Sequence, residues 1–450
     1  METKGRRFRV KRKTLCLCAG FAVLGFALAG CDWLSPPPVN PVTPVPSSGA
    51  VQTRVTLVGT GFGASQSSGE VTFDNLPASV VSWSDSTIVV RVPLVATPGG
   101  RSIDASVTVT VGGEIVGSGA FTVLRGILYL AERVGGAQLY LMNPDGPEQT
   151  EVVGGLGALT HCAWSPDGTR VASTKLLDGY QALCVVDADG SDERLLTDFN
   201  ALFPVWSPDG ERIAFQTDRD GNWEVYVVDA DGGALVNLTR HPDLDAWPSW
   251  SPDGSRILFY STRRTTLPLG AIGPKVPPLK PEVMVMNADG TDVRNLTQNA
   301  ATDWFPSWSP DGAKIAFQSD REGVGEVFLM NSDGSGQTNL TQNAGIDGGP
   351  TWSPDGNKIA FVSERDGNPE IYVMNADGTG QMRLTNSPTW DAGPSWSPDG
   401  TRIAFESQRD GGYRIYVMNA DGTSQTRLTG ETTGYPVWME SRWPATRSPI

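Results

Sequence analysis

An all-β chain, a small β-sandwich followed by a β-propeller of seven blades, is what the sequence predicts, on three observations. The pentapeptide WSPDG stands at Trp164–Gly168 and returns at Trp206, Trp250, Trp308, Trp352 and Trp396; Trp438 keeps the spacing but is followed by MESR. A second turn, Asp-Gly after an apolar run, recurs seven times, with Gly146, Gly190, Gly232, Gly290, Gly334, Gly378 and Gly422. Composition agrees, since 52 Gly and 33 Pro with 19% charged residues describe a turn-rich β protein.

Residues 1–30 read as an address. METKGRRFRVKRK is basic, and TLCLCAGFAVLGFA is apolar but too short to span a membrane comfortably, the layout of a secretory signal. The ending LAGC, Leu28–Cys31, resembles the bacterial lipobox. That resemblance implies cleavage before Cys31 and a diacylglycerol on its sulfur, hence a membrane-anchored lipoprotein of the cell envelope facing the periplasm or exterior. The alternative is an uncleaved signal anchor. Residues 31–50 hold the lipidated Cys and six prolines, a spacer with polyproline II character.

Residues 51–124 form the predicted sandwich. Short β-rich runs such as VTLVGTGFG, EVTFDN, STIVVRVP and SVTVTVGG alternate with turn residues. The run GTGFG (Gly59–Gly63), the following VVSWSDSTIVVRVP and the closing VTVTVGG together resemble the IPT/TIG immunoglobulin-like family. The resemblance implies a spacer or interaction module, without chemistry of its own.

The repeats fill residues 126–440, before a tail at 441–450. One unit, PTWSPDGNKIAFVSERDGNPEIYVMNADGTGQMRLT, contains four β runs joined by Pro-Asp-Gly and Asn-Ala-Asp-Gly turns. Four strands per forty-odd residues make a propeller blade. The chain opens on strands two to four of a blade (Ile127–Val153) and closes on a lone first strand, Gly434–Trp438. Pairing the two fragments closes the ring and removes its exposed edges, and it explains why no turn is needed after Trp438. Without that pairing the alternative is six blades. The repeats resemble the TolB-like, WD-like propeller family from Gly126 to Glu440. The chain departs from that family's namesake in its sandwich, its lipobox and its seven repeats.

Variation concentrates on the rim that carries the second-to-third hairpins, where TTLPLGAIGPKVPPLKP lengthens one loop. Five residues before the tryptophans stand Asp245, Asp303, Asp347 and Asp391, against Leu159, Ala201 and Thr433 in the other repeats. Three residues before them stand His161, Phe203, Trp247, Phe305, Gly349, Gly393 and Tyr435. One reading makes Asp245, Asp303, Asp347, Asp391, Phe203, Trp247, Phe305 and Tyr435 a ligand-binding channel mouth for a cation or a basic peptide. The other has each Asp capping its own loop or pairing with a hairpin arginine.

Other chemistry is sparse. The formal charge is −15, and beyond residue 30 the chain carries 28 Lys/Arg against 49 Asp/Glu, which argues against nucleic acid as partner. Only His161 and His241 are histidines, and no G-x-S-x-G, C-x-x-C or H-E-x-x-H occurs, so no catalytic residue, metal site or cofactor is expected. DADGSDE (Asp187–Glu193) only faintly resembles a calcium loop. Cys162 and Cys184 read as apolar fillers, with a disulfide possible in an oxidising compartment. The expected function is a non-enzymatic envelope scaffold binding a protein or peptide; a glycan-binding or glycan-processing propeller and a structural spacer are the alternatives.

Overall fold

The structure, a computed structural model, describes Asn40–Trp438 apart from residues 46–47, 50–53, 67–68, 93–102, 124–126, 134–135, 143–148, 157–160, 264–279 and 431–432. The signal segment, the lipobox with Cys31, most of the long proline-rich loop and the tail lie outside the described residues.

Two sheets form the sandwich, and they begin earlier than expected. Asn40–Pro41 and Ser48–Gly49 pair in parallel with Glu114–Val123, and Thr43–Val45 pairs antiparallel with Arg54–Val58. Part of the expected 31–50 spacer is therefore sheet, with Val42 buried. Val55, Leu57, Val71, Phe73, Val107 and Phe121 are among the residues that fill the core, Phe73 meeting Phe121 edge-on at 5.4 Å. The Trp83 indole donates to the Phe62 carbonyl at 3.0 Å, tying the two halves of the motif read from sequence.

Seven four-stranded sheets follow one another along the repeats. Six are continuous in sequence, with first strands Cys162–Trp164, Leu202–Trp206, Asp245–Trp250, Asp303–Trp308, Asp347–Trp352 and Asp391–Trp396. The seventh joins the two ends of the repeat region: Thr433–Trp438 pairs antiparallel with Ile127–Arg133, Ile127 opposite Trp438 and Ala131 opposite Thr433. First strands of successive sheets pack against one another, so they lie innermost. Second and third strands are buried almost throughout, as in Arg212–Thr217 and Glu224–Asp229, because each sheet is covered on both faces. Between sheets, Val225 and Val227 meet Ile257, Phe259 and Met284 of the next.

WSPDG is written repeatedly because it joins neighbouring sheets. In five of the six copies the Trp indole donates to a carbonyl of the preceding sheet's first strand: Trp206 to Ala163 at 3.0 Å, Trp250 to Val205, Trp352 to Ser307 and Trp396 to Thr351, each at 3.2 Å, and Trp308 to Ser249 at 3.4 Å. The turn glycine sits at positive φ (72° at Gly210), and a Cβ on it would stand 3.6 Å from Pro166 of the preceding turn. Inside the turn the Ser hydroxyl donates to the Asp carboxylate, as Ser251 does to Asp253 at 2.6 Å.

That hydrogen bond and those from Ser255 hold the Asp253 carboxyl down at about 2. A carboxyl with a depressed folded pKa stabilises above its unfolded value, near 4, and loses that contribution as pH falls toward 2. Thermal midpoints are expected to fall across that window, with a flatter decline in Asp253→Asn; identical slopes would assign acid lability elsewhere.

Candidate functional site

Three residues before five of the repeat tryptophans the backbone is left-handed. First strands bulge there, between Leu202 and Val205, Ala246 and Ser249, and Trp304 and Ser307. The bulge places Phe203, Trp247 and Phe305 at φ of 54°, 60° and 49°, and Gly349 and Gly393 at 60° and 61°. A left-handed backbone costs a non-glycine residue roughly 1–2 kcal/mol. Two sheets use the residue that avoids this cost, and three consecutive sheets use an aromatic instead.

Those aromatics form one row. His161 lies 3.7 Å from Phe203 between ring centroids, Phe203 stacks on Trp247 at 4.5 Å, and Trp247 meets Phe305 edge-on at 5.1 Å. Gln216 of the preceding sheet accepts the Trp247 backbone N–H at 3.1 Å and so pins the bulge. Phe203 and Trp247 are half-buried, while Phe305 is 6% exposed. Beyond Phe305 the row stops, since a Cβ on Gly349 or Gly393 would meet nothing within 4 Å. One arc of the mouth is thus aromatic and the next recessed. Tyr435 lies in the closing strand, and its side chain is outside the described set.

The aspartates expected beside them are placed differently from an exposed charged mouth. Asp245, Asp303, Asp347 and Asp391 are each 0% exposed and ion-paired within their own sheet, to Arg263 (2.5 Å), Arg321 (3.0 Å), Arg365 (2.8 Å) and Arg409 (2.6 Å). Asn299 and Asn343 add amide hydrogen bonds to Asp303 and Asp347. Each arginine lies over an aromatic ring of its sheet, Arg409 at 4.6 Å from Tyr416. Buried, neutralised carboxylates anchor loops; of the two readings drawn from sequence, the arginine pairing is the one this geometry supports. Burial raises the Asp245 and Asp391 carboxyls despite their arginines.

Several partners went unread in the sequence. Arg321, Arg365 and Arg409 also donate to Gln337, Gln381 and Gln425, whose amides donate to Leu296, Leu340 and Leu384 carbonyls of the preceding sheet at 2.8–2.9 Å. The only signal was a Gln three residues after the Asp-Gly turn in three repeats. The Thr of the repeated Leu-Thr accepts a third-strand N–H and donates to a buried Glu, as Thr385 does to Glu370 at 2.6 Å. Asn295 and Asn339 of the NLT triplets are buried in these networks.

Cys162 and Cys184 are free thiols, pushed up to about 12 by burial. They pair with opposite edges of the Ser173 strand, two strand spacings or ~9.6 Å apart, which is too far for a disulfide. In the Asp187–Glu193 turn, Asp189 accepts from Ser191 and Asp192 pairs with Arg194. Among the described residues no group of three or more His, Cys, Asp or Glu side chains is placed to hold a metal.

A family model described as the TolB beta propeller domain matches residues 119–267 and 335–442, more than half of the chain, and one described as the IPT/TIG domain matches 37–123. No curated protein matches. Among solved structures, a TolB from Acinetobacter baumannii is 20% identical, covering 70% of this chain and 83% of its own, with a TM-score of 0.45. An oligogalacturonate lyase from Vibrio parahaemolyticus is 17% identical over 65% and 86%, with a TM-score of 0.51. A puromycin hydrolase is 16% identical over 75% of this chain and 53% of its own, with a TM-score of 0.55. At these identities the likeness is one of fold.

Proposed function

Because the chain belongs to the TolB β-propeller domain family, we propose that it is a non-enzymatic scaffold of the cell envelope that binds a protein or peptide segment at the mouth bearing Phe203, Trp247 and Phe305. One observation carries the reading. Three consecutive first strands hold aromatic rings in a backbone conformation that glycine occupies in the next two, so the rings stand there against local preference. Partly exposed, mutually stacked rings offer an apolar platform of the kind that anchors protein partners. The sequence supports a role without catalysis, since it lacks the nucleophile elbow and histidine-rich metal motifs of enzymatic propellers. An aromatic row also suits sugar rings, which favours a glycan as second reading. Four of the five hairpin arginines, Arg263, Arg321, Arg365 and Arg409, are committed to buried aspartates, which leaves little positive charge for a polyanionic glycan.

The double variant Phe203→Gly, Trp247→Gly tests the mouth. Relief of roughly 1–2 kcal/mol of strain per residue offsets the lost stacking, so the thermal midpoint is expected to stay within a few degrees. Photo-crosslinking to envelope proteins is expected to disappear. Unchanged crosslinks, or a collapse in stability with capture per folded molecule preserved, would return the rings to a packing role.

The envelope location rests on residues 1–31. Cys31→Ala is expected to accumulate as unprocessed precursor and to take up no metabolic acyl label; acylated Cys31→Ala protein would overturn the lipid anchor.

A further inference from the structure

Hairpin arginines on this rim fall into two states. Arg263, Arg321, Arg365 and Arg409 are each bound to a buried aspartate, and their side chains are 11–21% exposed. Arg219 occupies the same place in its hairpin, and its backbone N–H is held by Thr217 Oγ1 at 3.2 Å much as that of Arg321 is held by Ser319 at 3.3 Å. Just before its inner strand, however, the fully buried Ala201 stands at the position the aspartate takes in those sheets. The guanidinium instead lies over Phe199 at 4.2 Å and Tyr226 at 5.7 Å. Its ion pair is a long one, 3.8 Å to the adjacent Asp220, with side chains 36% and 49% exposed. Asp220 is already occupied by the Tyr226 hydroxyl and the Asn237 amide, and Asp218 accepts from Asn200.

The sheet that frees this arginine is the one that contributes Phe203 to the aromatic row. An exposed guanidinium with a loose partner keeps its fork of donors for a carboxylate. The chain as a whole, at −15, repels anions at a distance, so any recognition of one must be local.

We propose that Arg219, with Phe199 and the Phe203–Trp247 pair, is a carboxylate-reading subsite of the mouth, taking a peptide segment in which an apolar residue stands beside a carboxylate. That carboxylate comes from an acidic side chain or from a chain terminus. The inference rests on the peptide reading of the mouth and names the partner's chemistry.

Three probes test it on the whole protein by ligand-observed NMR: acetyl-Phe-Glu-amide, acetyl-Phe-Gln-amide, and acetyl-Gly-Phe with its terminal carboxylate free. A carboxylate probe is expected to bind about tenfold tighter than the Gln peptide. Arg219→Gln is expected to erase that difference, and Arg219→Lys to keep part of it. An advantage confined to the Glu peptide identifies a side-chain carboxylate, and one confined to acetyl-Gly-Phe identifies a terminus. Equal binding of all three, or a difference that survives in Arg219→Gln, overturns the subsite. If Phe203→Gly, Trp247→Gly abolishes binding while Arg219→Gln leaves the difference intact, the mouth stands and the subsite falls. No binding of any probe to the unaltered protein overturns both.

Discussion

The triple variant Asp303→Asn, Asp347→Asn, Asp391→Asn is expected to melt far below the unaltered protein, or to fail to fold. Each carboxylate is fully buried and holds an arginine, and removing its charge leaves that arginine desolvated without its counter-ion. A hydrogen bond to a charged partner contributes roughly 1.5–3 kcal/mol. Three such losses fall on a total stability of about 5–15 kcal/mol. The damage also reaches the seams between sheets. Arg365 links Asp347 to Gln381, and Gln381 donates to Leu340 of the preceding sheet. Urea denaturation of the single variants and the triple checks this. A triple variant that denatures like the parent but loses its partner would restore these carboxylates as ligand groups.

How much of this was legible in the sequence depended on whether repetition exposed it. WSPDG and the Asp-Gly turns revealed the sheets because each copy solves the same local problem, a turn plus a join to its neighbour. The incomplete units at the two ends revealed that the ends pair. The start of the sandwich was not legible. Asn40–Gly49 is rich in proline, and its short strands sit at sheet edges and among unlike partners that no local pattern announces. At the mouth, spacing located both the aspartates and the aromatics, but not which of them are buried and paired. The sequence showed a column of carboxylates; only the fold brings Arg321 onto Asp303 across a hairpin. The left-handed backbone under Phe203, Trp247 and Phe305 left one trace in the sequence, the glycines at the equivalent positions 349 and 393.

A chain ended at Gly430 is expected to lose several kcal/mol of its stability, a large share of about 5–15 kcal/mol. The excised segment includes Thr433–Trp438, the first strand of the sheet that joins the ends. Without it the edge of Ile127–Arg133 stands open, its ladder groups unpaired and ready to pair with another chain. Packing suffers as well, because Ile127, Tyr129 and Ala131 bury themselves against Ala404, Ile415 and Val417 of the last continuous sheet. Both losses fall at the seam that makes the ring a ring, so unfolding can begin there and spread sheet by sheet. The truncated protein should therefore melt early and self-associate. A synthetic peptide covering 431–442 should raise its midpoint progressively, with the logarithm of peptide concentration once that exceeds the Kd. If the truncated chain instead melts with the full-length protein and gains nothing from the peptide, the closing strand contributes no stability, and the ring is held by its six continuous sheets alone.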